Sequence, residues 1–182
     1  MDVKRKLRFP ALCVALALLL GGCGSENESG GIEVKVNNAA ASYDELDLKA
    51  IADAIYASLE TSELTLESVE RVTDEEALAE EFYLDPDEVV SCEVRAASGK
   101  FGVADVCLIV AKEGCADDVA ESMEQRKDDR IAEFSAYDVY DSAQIALSAD
   151  VSEMERLVVL LMLDEDGKAA AKEIIESYLP ED

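Results

Sequence analysis

The side chain best placed for covalent chemistry in this sequence is the thiol of Cys23. It directly follows the small residues Gly21 and Gly22, and an apolar run at residues 11–20 precedes them. Four basic residues stand ahead of that run: Lys4, Arg5, Lys6 and Arg8. A basic start, an apolar middle and a small-residue exit are typical of a bacterial secretion signal. We therefore expect residues 1–22 to be a signal peptide that is removed from the mature chain.

The segment Leu20-Gly21-Gly22-Cys23 resembles the lipobox of bacterial lipoproteins. This resemblance implies that a diacylglyceryl group alkylates the Cys23 thiol and that cleavage makes Cys23 the first mature residue. Each buried methylene contributes about 0.8 kcal/mol, so two or three acyl chains of the palmitate type give stable anchoring. A transmembrane anchor is the alternative, although the apolar run is about half of the roughly 20 residues that a span needs. We expect a lipid anchor on the extracytoplasmic face of the cell membrane.

No catalytic constellation is visible in the sequence. Ser98 stands beside Gly99, but a serine nucleophile needs an activating base, and the chain has no histidine. A lysine partner is also missing, since Phe101 occupies the last position of a Ser-x-x-Lys pattern. Ser98 is therefore better interpreted as a turn residue that is a possible contact for a ligand.

Arg126 is the strongest candidate for a binding residue. It lies in a helical stretch that is otherwise acidic, with Glu121, Glu124, Asp128 and Asp129. A guanidinium group suits carboxylates, so Arg126 is expected either to pair with an acidic residue across the end of the sheet or to bind a carboxylate ligand. Aromatic residues that could line a groove beside it are Phe82, Tyr83, Tyr137 and Tyr140; packing at the edge of the core is the alternative.

No metal or cofactor site is predicted. Residues 164–167 begin like a calcium loop, but Lys168 and Ile175 stand where oxygen ligands belong, so this segment is expected to cap a helix. The acidic residues around Pro86 are interpreted as a solvated turn. Zinc is disfavoured because histidine is absent.

The chain is strongly acidic. It has 16 Lys and Arg against 42 Asp and Glu; without residues 1–22, which hold four bases and one acid, the balance is 12 against 41, a formal charge of −29. Such a surface repels nucleic-acid phosphates and anionic headgroups, so nucleic-acid binding is not expected. The charge serves either as a solvated surface or as a contact for a cationic partner.

Three cysteines lie beyond Cys23: Cys92, Cys107 and Cys115. An odd number leaves at least one free thiol or one bond between molecules. The alternating pattern places Cys92 and Cys107 on opposite faces of a predicted hairpin, so no bond is expected between them. All three are interpreted as small buried hydrophobic residues.

The chain is expected to divide into three parts: the signal peptide at residues 1–22, a lipidated flexible tether at 23–42, and one globular domain at 43–182. Ser42 and Glu45 have capping-box spacing ahead of a helical stripe formed by Leu48, Ile51, Ala52, Ile55 and Leu59. A second box at residues 73–76 predicts a shorter helix that Pro86 ends. A long helix with Asp117 and Asp118 in its first turn and a final helix after residue 164 follow later.

Strict alternation at residues 89–96 predicts a half-buried strand. A tight turn at residues 98–100 would place Cys92 opposite Val106, with Asp105 pointing outward. Residues 144–149 and 156–163 predict two more strands, of which the second is apolar on both sides and therefore central. The predicted fold is α+β, with an antiparallel sheet of about four strands, built from two strand–strand–helix units with helices on one face and preceded by two N-terminal helices.

The order of these features resembles the domain-of-unknown-function family numbered 4358. The matching features are Phe82-Tyr83 before the first strand, Ser98-Gly99 in the turn, Arg126 in the long helix and Tyr137 after it, with the lipobox ahead of them. The resemblance covers residues 45–178. It implies a small lipoprotein of Firmicutes at the surface of a Gram-positive cell, and it supplies no catalytic residue because the family has no established activity.

Two functional classes follow from the sequence. The first is a non-enzymatic binding module, tethered outside the cell, whose partner is an envelope protein or a small ligand. The alternative is a cell-envelope hydrolase or inhibitor that uses acidic residues. A structural accessory subunit of an envelope complex is a further possibility.

Overall fold

The computed structural model describes residues 39–59, 68–97, 102–136 and 141–180. After a short 3₁₀ turn at Tyr43–Glu45, the helices are α1 (Leu48–Ser58), α2 (Glu75–Glu81), α3 (Ala116–Ser135), α4 (Ser142–Leu147) and α5 (Glu165–Glu176). The strands are β1 (Val69–Val72), β2 (Val89–Ala97), β3 (Val106–Ala111), β4 (Asp150–Met154) and β5 (Leu157–Leu161). The α+β class predicted from the sequence is confirmed.

The described strands form one five-stranded sheet in the order β1-β2-β3-β5-β4, and every neighbouring pair is antiparallel. The two hairpins, β2–β3 and β4–β5, meet where β3 pairs with β5. Each hairpin is followed by helices, which confirms the two strand–strand–helix units. The fifth strand, β1, was not predicted, because its Val-Glu-Arg-Val sequence has no period-two pattern.

Helices cover both faces of the sheet, whereas the sequence analysis expected them on one. Every residue of β3 and β5 is buried, so both sides of the central strands need an apolar cover. One core layer packs the sheet against α2, α3 and α4, and the other packs it against α1 and α5. The predicted stripe of α1 is buried in the second layer, and its five members are Leu48, Ile51, Ala52, Ile55 and Leu59.

The prediction of a strand at residues 144–149 is wrong, because this segment is mostly helix α4. Ile145 and Ala146 are buried and the adjacent strand, β4, begins at Asp150. Short apolar runs do not separate helix from strand by their period alone. The prediction of a central strand at residues 156–163 is confirmed, since β5 lies inside the sheet between β3 and β4.

The register of the β2–β3 hairpin differs from the predicted one by three residues. Cys92 lies opposite Ile109, and Val94 lies opposite Cys107. An odd shift moves every side chain of one strand to the other face relative to its partner. Cys92 and Cys107 consequently share the core layer beneath α3 instead of lying on opposite faces, and Asp105 points inward and is completely buried. The three described cysteines are free thiols.

Aspartate side chains cap three of the helices. Asp47, Asp74 and Asp164 accept hydrogen bonds from Ala50, Ala77 and Gly167, at 2.9, 3.0 and 2.7 Å. Each bond satisfies an N–H group that the first helical turn leaves unpaired. The cap expected at residue 164 is confirmed. At the other two helices the cap lies later than the predicted serine or threonine, and Ser42 makes no side-chain cap.

Candidate binding site

Two arginines lie in the buried stripe of α3. Val119, Met123, Arg126, Arg130 and Phe134 are all buried, and their spacing places them on one face of the helix. Arg126 is 8% exposed and Arg130 is 4% exposed. Charged side chains are rarely this buried unless they are paired, so their partners define the site.

Asp105, just ahead of β3, is the counter-ion of both arginines. Its Oδ2 atom lies 3.2 Å from Nη2 of Arg126 and 3.6 Å from Nε of Arg130. Its Oδ1 atom accepts a hydrogen bond from the backbone N–H of Ala97 at 3.0 Å. The carboxylate therefore ties the end of β2 and the start of β3 to helix α3. Arg126 thus makes the structural pairing that the sequence offered as one alternative.

The two guanidinium groups also stack on aromatic rings. The Cζ atom of Arg126 lies 4.3 Å from the ring centroid of Phe82, and that of Arg130 lies 4.8 Å from the centroid of Phe134. Such cation–π contacts contribute about 0.5–2 kcal/mol each, more when desolvated. Phe82 is one of the aromatic residues predicted to lie beside Arg126. It is fully buried, and its ring orients the guanidinium group of Arg126.

Several arginine N–H groups find acceptors in the protein. Arg130 donates from Nη1 to Oε2 of Glu133 at 2.6 Å and from Nη2 to the carbonyl of Gly102 at 3.2 Å. Nη1 of Arg126 makes a long contact of 3.5 Å to the carbonyl of Glu81. The Nε groups of both arginines are buried and have no hydrogen-bond acceptor among the described residues. Leaving a buried donor unpaired costs about 1–3 kcal/mol. Nε of Arg130 faces Oδ2 of Asp105 at 3.6 Å, just beyond hydrogen-bond distance.

The two arginines line a pocket of about 420 Å³, here called the arginine pocket. Val72 of β1 and Ala96 and Ala97 of β2 line it from the sheet, and Ala77 and Phe82 line it from α2 and its end. Small-molecule sites have volumes of about 300–1,000 Å³ and combine apolar walls with a few polar groups. The arginine pocket has both properties.

Three glutamates complete the lining of the arginine pocket: Glu70, Glu81 and Glu133. All three are exposed, whereas the arginines are buried. The pocket therefore has hydrogen-bond donors in its interior and carboxylates on its solvent side.

Tyr83 holds the end of α2 against α3. Its φ angle is 58°, in the left-handed region that non-glycine residues rarely adopt. The phenol donates a hydrogen bond to Asp129, which raises the pKa of Tyr83, and Ser122 donates to the Tyr83 carbonyl at 2.9 Å. Strained residues persist where the surroundings over-determine them. Tyr83 therefore fixes the chain next to Phe82, and through Phe82 it supports the arginine pocket.

A second buried carboxylate lies on the opposite face of the sheet. Glu93 is 2% exposed and pairs with Arg71 at 2.6 Å and with Arg95 at 3.0 Å. Arg95 also pairs with Asp53 of α1 at 2.5 Å and lies over the ring of Tyr56. This network lies outside the pockets described here, so we interpret it as a connection between α1 and the sheet.

A further pocket, of about 350 Å³, lies between α2 and the start of β2. Leu78, Leu84, Pro86, Val89 and Cys92 give it a mainly apolar lining. Burial raises the pKa of the Cys92 thiol, which disfavours the reactive thiolate.

Within the described ranges, no group of three or more cysteine, aspartate and glutamate side chains is arranged to hold a metal ion.

The predicted site residues have different outcomes. Arg126 and Phe82 meet in the arginine pocket, and Tyr83 adjoins it. Cys23, Ser98 and Tyr137 lie outside the described residues.

No helix in the described part of the chain is both long and apolar enough to cross a membrane.

Asp105, Arg130 and the three glutamates of the pocket were not predicted as site residues from the sequence. A signal for Arg130 was present, since Arg126 and Arg130 both occupy stripe positions between Met123 and Phe134. Two arginines on the buried side of a helix require a buried acid, and that requirement would have favoured an inward Asp105.

These features define an α+β protein in which helices enclose an antiparallel sheet and a pocket opens at one side of it. The model of the family described as "Domain of unknown function (DUF4358)" matches residues 62–163, and the chain belongs to this family. The match contains all five strands and every residue that lines the arginine pocket. No curated protein and no solved structure shows a significant match.

Proposed function

We propose that this chain is a lipid-anchored extracytoplasmic binding module that takes up a small ligand in the arginine pocket and performs no chemistry on it. The observation that carries the proposal is the pair of buried arginines that line a pocket of about 420 Å³ together with apolar walls. Guanidinium groups are strong hydrogen-bond donors, so they suit a ligand that brings acceptors.

The place of action is proposed from the sequence. Cys23 follows Leu20-Gly21-Gly22 as in a lipobox, and acylation there would leave residues 23–42 as a tether. The roughly 20 residues of such a tether reach at most about 60–70 Å. The mature charge of −29 would keep the domain away from anionic headgroups. The ligand would then come from outside the cell or from the envelope.

A pair of variants on α2 tests the binding function. Ala77 lines the arginine pocket, and Ala77→Phe places a ring there without altering either arginine. Ala79 is exposed on the same helix and does not line the pocket, so Ala79→Phe is the matched control. The experiment is a thermal-shift screen of the mature domain against a library of carboxylates, phosphates, amino acids, short peptides and sugars.

We expect compounds that raise the melting temperature of the wild type and of Ala79→Phe, but not that of Ala77→Phe. A library without any stabilising compound would contradict the proposal. Compounds that stabilise all three proteins equally would also contradict it, since they would bind elsewhere.

A further inference from the structure

The charges around the arginine pocket restrict what its ligand can be. Two cations, Arg126 and Arg130, face the carboxylate of Asp105 and share the pocket with three exposed glutamates. Two positive and four negative groups give the site a local formal charge of −2. A phosphate or another multiply charged anion would meet its donors inside the pocket and repulsion at its entrance.

The positive and negative groups lie at different depths in the pocket. The arginines are nine-tenths buried, whereas Glu70, Glu81 and Glu133 are exposed. A ligand in this pocket thus meets donors at its inner end and carboxylates at its outer end. A molecule with a carboxylate and an ammonium group satisfies both ends without adding net charge to the site.

We propose that the arginine pocket binds a zwitterion of the amino-acid type, with its carboxylate at the guanidinium groups of Arg126 and Arg130 and its ammonium group at Glu70 and Glu81. The third glutamate, Glu133, already pairs with Arg130 at 2.6 Å. This inference rests on the proposed binding function and names the ligand class for that site. Carboxylates accept hydrogen bonds from guanidinium groups in favourable geometry. The apolar atoms of Val72, Ala77 and Ala96 favour an aliphatic side chain.

Free amino acids and short peptides share this chemistry, and they differ in the distance between the two charges. L-leucine and the dipeptide leucyl-leucine therefore serve as the two probes. N-acetyl-L-leucine removes the ammonium charge, and L-leucinamide removes the carboxylate. Isothermal titration of the mature domain with these four compounds measures each contribution separately.

We expect L-leucine or leucyl-leucine to bind at least about tenfold more tightly than each blocked analogue, since a desolvated charge-assisted contact is lost in each case. The double variant Glu70→Gln/Glu81→Gln should weaken the better probe and strengthen N-acetyl-L-leucine, because the same carboxylates attract the ammonium group and repel the lone carboxylate. Glu76→Gln/Glu80→Gln, on exposed positions of α2 outside the pocket lining, should change neither affinity.

The outcomes separate this inference from the proposed function. Equal binding of L-leucine and N-acetyl-L-leucine, unchanged in Glu70→Gln/Glu81→Gln, would overturn the zwitterion while a carboxylate-binding module would stand. If neither probe binds and the stabilising library compounds are not amino acids or peptides, the zwitterion would be overturned while the binding function would stand. A failure of every compound, in the titrations and in the library, would overturn both proposals.

Discussion

Nη2 of Arg126 lies 3.2 Å from Oδ2 of Asp105, and both side chains are buried between α3 and the sheet. Arg130 shares the same carboxylate oxygen at 3.6 Å. One aspartate thus contacts two guanidinium groups, and other donors of these groups bond Glu133 and the carbonyls of Gly102 and Glu81. This arrangement determines both the stability of the β2–β3 hairpin against α3 and the character of the pocket.

Replacing the shared carboxylate should be costly. Asp105→Asn keeps the size of the side chain but leaves Arg126 without a counter-ion and Arg130 with Glu133 alone, and we expect it to lower the free energy of unfolding by about 3–5 kcal/mol. Asp128→Asn, on the exposed side of α3, should change it by less than about 0.5 kcal/mol. Urea denaturation measures both, and a loss at Asp105 no greater than that at Asp128 would contradict the proposed role.

The backbone at Tyr83 provides a second test. Tyr83→Ala and Tyr83→Gly both delete the phenol that bonds Asp129, but only glycine adopts a φ of 58° without strain. We expect Tyr83→Gly to be more stable than Tyr83→Ala by about 1 kcal/mol. Thermal unfolding of the two variants is the measurement, and an alanine variant as stable as the glycine variant would show that the left-handed geometry is absent.

Gly167 has a steric reason to be glycine. A Cβ atom at this position would lie 2.8 Å from Oδ1 of Asp164 and 2.9 Å from Cδ2 of Leu59, which are the capping atom and a buried core atom. Gly167→Ala should therefore destabilise the protein by about 1–3 kcal/mol in spite of its better helix propensity. At the exposed Ala169 helix propensity favours alanine over glycine. Ala169→Gly should therefore lower the free energy of unfolding by about 1 kcal/mol. This explanation would be refuted if Gly167→Ala were more stable than the wild type while Ala169→Gly were less stable.

Acid should weaken the connection between α1 and the sheet. Hydrogen bonds from Lys49 and Arg95 hold the pKa of Asp53 at about 2, below its ordinary value of 3.8. Because the folded pKa is the lower one, the stabilisation is complete above about pH 4 and is lost as the pH falls toward about 2. We expect Asp53→Asn to be less stable than the wild type at about pH 6, with most of this difference gone at about pH 2. A difference of the same size at both pH values, measured by denaturant unfolding, would contradict the linkage.

The anchor has its own test. Cys23→Ala removes the thiol that acylation requires, so the variant should leave the membrane fraction, whereas the wild type stays in it after a carbonate wash. Mass spectrometry of the natural protein should find acyl chains on an N-terminal Cys23. A Cys23→Ala protein that remains in washed membranes would disprove the proposed lipid anchor.

The periodic elements were predictable because their patterns are long or are bounded by strong signals. The stripe of α1 has a helical period, β5 is an unbroken apolar run, and the cap at Asp164 marks the start of α5. Helix α4 has only six residues, and its apolar members fit either period. Here tertiary packing on α3, and not local preference, decides the structure.

The pocket was only partly predictable. Arg126 was recognised because it stands among acids, but its partner was assigned to the wrong face when a three-residue turn was assumed after Ala97. An odd error in register exchanges inside and outside for a whole strand relative to its partner. The second helical layer then buries the face that was expected to be in solvent, and Asp105 and Glu93 are both buried. The glutamates of the pocket come from β1, α2 and α3, and one-dimensional patterns do not report such long-range proximity.

The edge strand β1 has a consequence for contacts between copies of the chain. β1 has only four residues, and its two central side chains, Glu70 and Arg71, are exposed and charged. Sheet margins that are short and charged are poor templates for a strand of a neighbouring molecule. This edge of the sheet should therefore resist pairing with a strand of another copy.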